Sequence, residues 1–476
     1  MHTVEKINFV FMCLFFACYL YQFLYIPVSW LPAKASGREA PLHRFAVLIA
    51  ARNEEAVIGN LIDSIKAQRY PEGLIQIFVV ADNCQDTTAR IARARGATVF
   101  ERRDCEHRGK GYALDFLLKQ MRLHGLTHFD GCVVLDADNV LDGNFFSAMN
   151  VTFSRGYDIV TCYRNTKNYG DNWISAGYGL WFLRESRYLN QARMRLGSSC
   201  GVSGTGFLFS SAVLAQQGGG WPFHLLTEDI EFTIDKVVRG MKIGYCQEAI
   251  LYDEQPVDFR QSWAQRLRWS RGYLQVFRRY GGRLFSGILH GSFSCYDMAM
   301  SIMPAAVLTG LSIAVNLGAA LINLLYYREW SVLGMSLLQT LLNLYLTLFV
   351  IGGITTATEW RNIHCRAWKK LACLFSFPLF MLSYVPIVIQ SLFVTPEWTP
   401  IRHTRNLNVR QIRGEACKDA GSKALASLAH SVYDTQGTEE GIHEEKRSSA
   451  VGAVSAGTKG GAVRQHGKTV VSVRLR

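Results

Sequence analysis

Long apolar stretches near both ends of the chain constrain its fold more than any other feature. Three of them are long enough to cross a bilayer, on the criterion of about 20 apolar residues, and a fourth is a candidate. They are Ile7 to Leu31, Met298 to Tyr327, Val332 to Thr356 and Leu371 to Val394. The first is about twice as long as the core of a signal peptide, so we predict an uncleaved span. The 476 residues therefore divide into membrane segments and a polar region between them.

The charge pattern predicts which side of the membrane the polar region faces. The net charge is +13, and basic residues cluster beside the apolar stretches, as the positive-inside rule expects of cytosolic flanks. They include Lys34, Arg38, Arg44, Arg361, Arg366, Lys369 and Lys370. The 12 cysteines are scattered without a C-x-x-C pair, which indicates reduced thiols and no zinc site. We predict a multi-pass protein of the cell membrane with residues 40–285 in the cytosol and no nucleic-acid partner.

The polar region begins with a regular alternation of strand and helix patterns. "FAVLIAARNEE" predicts a strand and "AVIGNLIDSIKAQ" a helix, and "IQIFVVADN" with "CQDTTARIARARG" repeats that unit. "ATVFERR", "GKGYALDFLLKQM" and "GCVVLDADN" continue as strand, helix and strand. This order predicts an α/β fold with a mostly parallel, doubly wound sheet, whose ligands bind at the carboxyl ends of the strands.

Two carboxylates follow the strand pattern in "VVLDADNV". Asp136 and Asp138 are two positions apart, so on an extended chain their side chains point the same way and reach one cation. Mg²⁺ or Mn²⁺, held partly by substrate phosphates, suits such oxygen ligands. A D-x-D pair also occurs by chance in loops, and its position after a buried strand favours the functional interpretation.

Several other polar residues allow a structural or a functional role. Glu228 and Asp229 in "LLTEDIEF" either cap a helix, or Asp229 accepts a proton from an attacking hydroxyl. The small residues Gly204, Thr205 and Gly206 would let a bulky substrate lie against backbone, although such loops are also common turns. The remaining positions with two open roles are Glu54 and Glu55 (helix caps or ligand contacts), Asp82 (turn or ligand contact) and Lys110 (solvated or near phosphate).

The pentapeptide "QRLRW", residues 265–269, lies just before the chain becomes strongly apolar. A guanidinium binds phosphate oxygens and an indole stacks on a sugar or base, which indicates a phosphorylated, cyclic substrate. Arg and Trp also favour membrane surfaces, so an amphipathic interfacial helix is the alternative.

Seven motifs in one order carry a resemblance to a known family: "ARNEE", "VVADNCQDTT", "RGKGYAL", "LDADN", "SGTG", "TEDIE" and "QRLRW". The sequence resembles the membrane-bound family 2 glycosyltransferases, which include cellulose, chitin, hyaluronan and poly-N-acetylglucosamine synthases. The resemblance covers residues 44–280 and the flanking spans. It implies a GT-A domain (40–256) between an N-terminal span with linker (1–39) and amphipathic interface helices (257–297). A transmembrane bundle (298–400) and a basic, disordered tail (401–476) would follow.

The resemblance also implies roles for individual residues. Asp229 would be the catalytic base and Asp138 would bind Mg²⁺ or Mn²⁺. The expected substrate-binding residues are Glu54 and Asp82 at the uridine, Lys110 and Asp136 at the nucleotide, Gln265 and Arg268 at the diphosphate, Trp269 at the acceptor sugar, and Gly204, Thr205 and Glu228. Ala81 stands where many relatives have an aspartate, which puts nucleotide contacts at that position in doubt.

The implied activity is an inverting, metal-dependent transfer from a UDP-sugar to a growing β-linked polysaccharide, with export through the chain's own membrane segments. UDP-N-acetylglucosamine and UDP-glucose are the first donor candidates, and membrane lipids are expected partners. Transfer of one sugar to a lipid-linked acceptor is the alternative, and the sequence identifies no export partner. The last apolar stretch contains Pro378 and Pro386, so either it is broken and partly re-entrant, or the basic segment "EWTPIRHTRN" lies outside the cell.

Overall fold

The computed structural model describes residues 2–32, 40–302, 311, 314–322, 325, 330–396, 403 and 405–414, all within one compact unit, Met1–Gly414. Several predicted features fall outside these residues. They are residues 33–39 of the linker, part of the span from Met298 to Tyr327, most of "EWTPIRHTRN" and the tail after residue 414.

An eight-stranded sheet forms the centre of the region between the apolar stretches. Its strands are β1 (Phe45–Ala51), β2 (Ile75–Asp82), β3 (Thr98–Arg102), β4 (Gly131–Asp136), β5 (Val140–Leu141), β6 (Ile159–Thr166), β7 (Phe207–Ser210) and β8 (Ile243–Asp253). They lie in the order β3-β2-β1-β4-β7-β6-β8-β5. The pairs β1–β2, β1–β4, β2–β3 and β6–β8 are parallel, whereas β4–β7, β6–β7 and β5–β8 are antiparallel. The predicted mostly parallel α/β sheet is confirmed.

Helices cover both faces of this sheet. The helices up to the last strand are α1 (His2–Ser29), α2 (Ile58–Lys66), α3 (Thr88–Ala94), α4 (Lys110–Leu123), α5 (Phe145–Phe153), α6 (Trp173–Arg184), α7 (Gln191–Leu196), α8 (Ser211–Gln216) and α9 (Glu228–Val238). Successive residues of β1 point to opposite faces, so Leu48 shares an apolar cluster with Leu117 of α4, and Val47 shares another with Leu61 of α2. Burial on both faces explains why β1 is a continuous apolar run.

The parallel pairing of β1, β2 and β4 determines where polar residues gather. All three strands end at the same edge of the sheet, which brings together the loop after Ala51, Asp82 at the end of β2 and Asp136 at the end of β4. The connections that follow these strands therefore surround one common cleft.

Further helices follow the sheet along the chain. They are α10 (Phe259–Leu289), α11 (Phe293–Ile302), α12 (Trp330–Thr358), α13 (Ala367–Leu382), α14 (Tyr384–Phe393) and α15 (Val409–Ile412). Among the described residues, the segments Leu341–Thr358 and Ala367–Phe393 are long and apolar enough to cross a membrane, by length and composition only. The predicted N-terminal span coincides with the continuous helix α1, and its crossing of a membrane stays a prediction.

Helix α1 is joined to the central unit by a buried polar cluster. Asp297 of α11 is fully buried and pairs with Arg193 of α7 at 2.7 Å. Tyr21 and Tyr25 of α1 donate hydrogen bonds to the same carboxylate at 2.7 and 2.8 Å. A buried charge needs such partners, so this cluster aligns α1, α7 and α11 with one another.

The last apolar stretch is broken and returns to the central unit. Its helix is interrupted at Ser383, between α13 and α14. Near the start, Lys369 donates to the carbonyl oxygen of Gly170 at 2.5 Å, and near the end Arg271 of α10 donates to that of Ser391 at 3.0 Å. The predicted break in this segment is therefore confirmed, and its re-entrant placement in a membrane stays a prediction.

Candidate active site

A cavity of about 680 Å³ lies at the carboxyl ends of the parallel strands and continues between α10, α12 and α14. Of the twelve residues predicted for the site, eleven line this cavity. They are Glu54, Asp82, Lys110, Asp136, Asp138, Gly204, Glu228, Asp229, Gln265, Arg268 and Trp269. The structure therefore brings predicted residues that are more than 200 positions apart together around one cavity.

Thr205 is the exception among the predicted substrate contacts. Its side chain is 2% exposed and does not line the cavity. Its hydroxyl accepts a hydrogen bond from the Asp136 amide at 2.9 Å and donates to the Asn139 side chain at 2.5 Å. We therefore correct its predicted role as a substrate contact: the two hydrogen bonds of Thr205 hold the end of β4 in place.

Lys110 and Asp136 form an ion pair at one end of the cavity. The Lys110 ammonium lies 2.5 Å from Asp136 Oδ1 and 2.6 Å from the carbonyl oxygen of Gly204. Burial alone would lower the pKa of Lys110, but the carboxylates of Asp136 and Glu228 outweigh it and raise that pKa. A Cβ on the next residue, Gly111, would lie 2.0 Å from the carbonyl oxygen of Phe223, so only glycine lets α4 begin this close.

Asp138 is 5% exposed and is held as a carboxylate. Its Oδ2 accepts a hydrogen bond from the Glu254 amide at 2.7 Å, and Lys167 donates to its carbonyl oxygen. Burial alone would raise the pKa of Asp138, but the charges of His403 and Lys167 outweigh burial and lower it. An ionised, oxygen-donor side chain facing a cavity is what a divalent cation requires.

The contacts of Asp82, Glu54 and Glu55 bear on whether each residue caps a helix, forms a turn or faces the cavity. Asp82 pairs with Arg102 at 2.7 Å, and burial raises its pKa more than Arg102 lowers it. Glu55 accepts hydrogen bonds from the amide and hydroxyl of Thr87, directly before α3, and so acts as a cap. Glu54 instead faces the cavity, where its carboxylate bonds to His403.

Glu228 and Asp229 lie in the first turn of α9. Thr227 occupies the N-cap position without a side-chain cap bond, and Glu231 accepts the His224 and Leu225 amides at 3.0 Å. Burial and the neighbouring Asp229 raise the pKa of Glu228 to about 7, and burial raises that of Asp229. Backbone amides of Ile230 and Gly204 also hydrogen-bond to the Asp229 carboxylate, so this cavity-facing group contributes to the start of α9, and its role as a general base stays a prediction.

The pentapeptide is on α10, where positions three and four apart share a face. Gln265, Arg268 and Trp269 line the cavity. Within the described residues, Gln265 Oε1 and Arg268 Nε are buried without a hydrogen-bond partner. Buried polar atoms normally have such a partner, and a bound ligand would supply one here. Trp269 contacts the Tyr178 ring edge-to-face, with centroids 5.7 Å apart.

Arg266 of the same pentapeptide has a structural role. It is fully buried and donates to the Phe380 carbonyl oxygen at 3.2 Å and to the Ser383 hydroxyl at 2.7 Å. Its guanidinium also lies 4.9 Å from the centroid of the Tyr384 ring. Arg266 therefore attaches α10 to the break between α13 and α14.

Several basic residues of the cavity were not predicted from the sequence, among them Arg164 and His403. Arg164 pairs with Asp253 at 2.5 Å, donates to the Ser203 carbonyl oxygen at 2.8 Å and covers the Phe182 ring. His403, which follows the last apolar helix, places Nδ1 2.9 Å from Glu54 and Nε2 4.0 Å from Asp138 Oδ2. Arg164 had no motif to mark it, and His403 belongs to a basic segment that we considered only for topology.

Comparisons with known proteins agree with this geometry. The family described as "Glycosyltransferase like family 2" matches residues 43–272. Residues 43–272 form a family 2 glycosyltransferase domain. The expected enzyme class is confirmed for this domain, and the match extends through "QRLRW" on α10.

Curated relatives of this family 2 domain differ in the acceptors that their names state. The chain is 26% identical over 246 residues to a β-monoglucosyldiacylglycerol synthase of Synechocystis sp., covering 50% of each protein. It is 24% identical over 242 residues to a poly-β-1,6-N-acetyl-D-glucosamine synthase of Staphylococcus aureus, covering 50% of this chain and 56% of that protein. The chain spans about half the length of these relatives.

A solved structure confirms the fold of the domain. The mannosyltransferase PcManGT from Pyrobaculum calidifontis, solved with GDP-Man and Mn²⁺, superposes with a TM-score of 0.54 at 15% identity, covering 82% of this chain and 99% of that one. At this identity the likeness shows a GT-A-like fold alone. Within the described residues, no three His, Cys, Asp or Glu side chains form a metal site by themselves.

Proposed function

We propose that the chain transfers a sugar from a UDP-sugar to an acceptor hydroxyl with inversion at the anomeric carbon. UDP-N-acetylglucosamine and UDP-glucose are the donors we favour. The observation that carries the proposal is a single cavity, lined at one end by Asp136 and Asp138 and further along by Asp229 and Trp269. It offers a donor site, a base and an acceptor path in one continuous space.

The cavity residues divide the chemistry between them. Lys110, Arg268 and Gln265 bind the diphosphate through charge and hydrogen bonds. Asp229 accepts the proton of the acceptor hydroxyl, whose oxygen attacks the anomeric carbon on the side opposite the diphosphate. The bond from that carbon to the phosphate oxygen breaks, UDP leaves with the electron pair, and an α-linked donor becomes a β-linked product.

A divalent cation fits this donor set. Asp138 is ionised, almost fully buried and faces the cavity, and carboxylates with substrate phosphates are ordinary ligands of Mg²⁺ and Mn²⁺. Asp138 would hold the cation, which when bound neutralises charge on the departing diphosphate.

The acceptor we favour is a growing β-linked glycan. Besides Trp269, the cavity is lined by aromatic rings, Trp181 and Tyr273, and by the polar side chains of Gln22 and Arg184. Aromatic faces with polar groups between them suit sugar rings, which have both apolar faces and hydroxyl edges. This lining supports polymerisation with passage of the glycan between the apolar helices.

A second candidate is transfer of one sugar to a lipid-linked acceptor. Aliphatic side chains of Leu348, Ile351 and Val388 also line the cavity, which suits an acyl or isoprenoid chain. A relative named for synthesis of a glucosylated diacylglycerol supports the same choice.

We also propose that the protein is a multi-pass membrane protein with its catalytic domain in the cytosol. Two apolar helical segments and the basic flanks of the apolar stretches support this placement. It would give the cavity access to cytosolic nucleotide sugars on one side and to the bilayer on the other.

Product analysis distinguishes the two acceptors. The purified full-length chain is incubated with labelled UDP-sugars and Mn²⁺ or Mg²⁺, with and without lipid extract, and the products are sized. Chains of many sugars support polymerisation, whereas a lipid carrying one sugar supports the second candidate. Absence of transfer from either UDP-sugar, with folded protein and added cation, contradicts the proposed donors.

A further inference from the structure

Glu185 is a carboxylate of the cavity to which the proposed chemistry gives no role. It is the first residue of the π-helical turn Glu185–Asn190, which lies between α6 and α7, and its side chain lines the cavity. Turns of this kind are rare and frequently lie at functional sites. The chain therefore departs from a regular α-helix at the residue that carries this carboxylate.

One hydrogen bond fixes the Glu185 side chain. The hydroxyl of Ser203 donates to Glu185 Oε1, and within the described residues no group donates to Oε2. Arg164, whose charge acts on Glu185, forms its ion pair with Asp253 at 2.5 Å. Burial raises the pKa of Glu185 more than Ser203 and Arg164 lower it. A sheltered carboxylate oxygen normally accepts a hydrogen bond, and a hydroxyl of a bound molecule would supply one to Oε2.

Ser203 belongs to the loop that also holds the proposed base. The backbone amide of the next residue, Gly204, donates to the Asp229 carboxylate. The carbonyl oxygen of Gly204 accepts from Lys110 at 2.6 Å, so the loop is tied to the diphosphate end of the cavity as well. Two adjacent residues of one loop therefore hold Asp229 and Glu185 beside the same part of the cavity.

An aromatic ring lies near both carboxylates. Tyr273 follows Trp269 by four residues, so the two side chains share a face of α10, and both line the cavity. Burial raises the pKa of Tyr273, and the charges of Glu185 and Asp229 raise it further. Carboxylates beside an aromatic face suit a sugar, which packs its apolar face on the ring and donates hydrogen bonds from its hydroxyl edge.

We propose that Glu185 binds the acceptor by accepting a hydrogen bond from the hydroxyl next to the one that attacks, with Ser203 as a positioning residue. The inference rests on the proposed transfer to an acceptor hydroxyl and identifies the acceptor class of that site. Two carboxylates held by one loop fit an acceptor with two neighbouring hydroxyls. A sugar ring has such a pair, whereas a diacylglycerol has one hydroxyl, so Glu185 selects a glycan over a lipid alcohol.

Acceptor kinetics of the full-length chain test this contact. The probes are β-linked disaccharides of glucose and of N-acetylglucosamine, analogues of each that lack one hydroxyl of the terminal sugar, and diacylglycerol. Glu185→Ala should raise the KM of the intact disaccharide about 10- to 100-fold, the loss expected for a hydrogen bond to a charged group. The KM of the UDP-sugar and kcat should change little, because the contact binds the acceptor alike before and during transfer.

A comparison of variants and analogues locates the contact. In the wild-type chain, one analogue should show the same rise in KM as Glu185→Ala shows with the intact disaccharide. In Glu185→Ala, that missing hydroxyl should have no further effect. Ser203→Ala should raise the acceptor KM about 2- to 10-fold, since it removes only the bond that orients Glu185. The matched control is Glu101→Ala, whose exposed pair with Arg93 lies outside the cavity.

Three results overturn the inference while UDP-sugar transfer stands. The first is an unchanged acceptor KM in Glu185→Ala. The second is a loss confined to kcat, which would indicate a role in proton transfer. The third is transfer to diacylglycerol but to neither disaccharide. If the folded wild-type chain transfers sugar to none of these acceptors, the proposed function fails together with this inference.

Discussion

At the scale of single residues, carboxylates of the same chemistry differ in role because their surroundings differ. Glu231 accepts two backbone amides and stabilises the start of α9. Asp229, two positions earlier, faces the cavity and has its pKa raised by burial. Asp138 is more deeply buried than Asp229, but nearby positive charges lower its pKa. Different surroundings thus raise the pKa of the proposed base, Asp229, and lower the pKa of the proposed cation ligand, Asp138.

Asp229→Asn should abolish sugar transfer while leaving UDP-sugar binding nearly unchanged. Loss of a positioned base typically costs about 10²- to 10⁴-fold in rate, whereas the donor is held by other residues. Turnover and donor affinity are measured on the same preparation, with Asp63→Asn as control because its exposed pair with Arg95 lies outside the cavity. A variant that no longer binds donor would indicate a structural role for Asp229.

Glu228→Gln should move the acidic limb of the kcat/KM profile to lower pH. Asp229 must be deprotonated to act, so the rate falls as pH drops through its raised pKa. Removing the negative charge of its neighbour makes the carboxylate easier to form and lowers that pKa. The measurement is the pH at which the acidic limb of the kcat/KM profile falls, in Glu228→Gln and in Glu248→Gln, an exposed control on β8. An unmoved limb would mean that Asp229 does not control it.

At the scale of elements, the strands and helices that could be predicted are those with a local pattern of apolar residues. Strands β1, β2 and β4 are apolar runs that end in polar residues, and α2 and α4 have helical periodicity, so their order and type followed from the sequence. The antiparallel strand β7 depends on distant partners, whereas the break at Ser383 was one of the two alternatives that Pro378 and Pro386 left open. The contact of His403 with Glu54 joins residues 349 positions apart, and no local pattern reports such a distance.

The face of α10 that carries Trp269 should control how long a glycan is retained. Trp269→Ala removes a ring that would stack on the acceptor, a contribution of about 0.5–1.5 kcal/mol beyond buried area. We expect shorter chains and more UDP released per sugar incorporated. Trp263→Phe is the control on the same helix, since its indole donates to Gln390 and lies outside the cavity lining. Unchanged chain length in Trp269→Ala would exclude the stacking role.

At the scale of the whole molecule, the chain returns to its catalytic domain after the last apolar helices. Contacts at both ends of Ala367–Phe393, together with those of His403 and Arg405, hold this part of the chain against the rest of the unit. In the proposed topology, this return would place the basic residues near the end of the described chain on the cytosolic side, as the positive-inside rule expects. The apolar helices and the residue His403 of the cavity are therefore close together along the chain.

A cross-link tests this return. The side chains of Asn60 on α2 and Asn406 are hydrogen-bonded. The double variant Asn60→Cys with Asn406→Cys should form an internal disulfide on mild oxidation in native membranes, seen as joined fragments after proteolysis. Each single variant serves as control. Absence of the cross-link, with position 406 labelled by an impermeant reagent from outside the cell, would place this segment across the membrane.

The central claim is inverting transfer by a family 2 domain whose base is Asp229. The most direct test is nuclear magnetic resonance of the anomeric proton in the first product made from an α-linked UDP-sugar by the purified full-length chain. We expect a β-linkage in that product and no product from Asp229→Asn. An α-linked product, or a β-linked product formed equally well by Asp229→Asn, would contradict it.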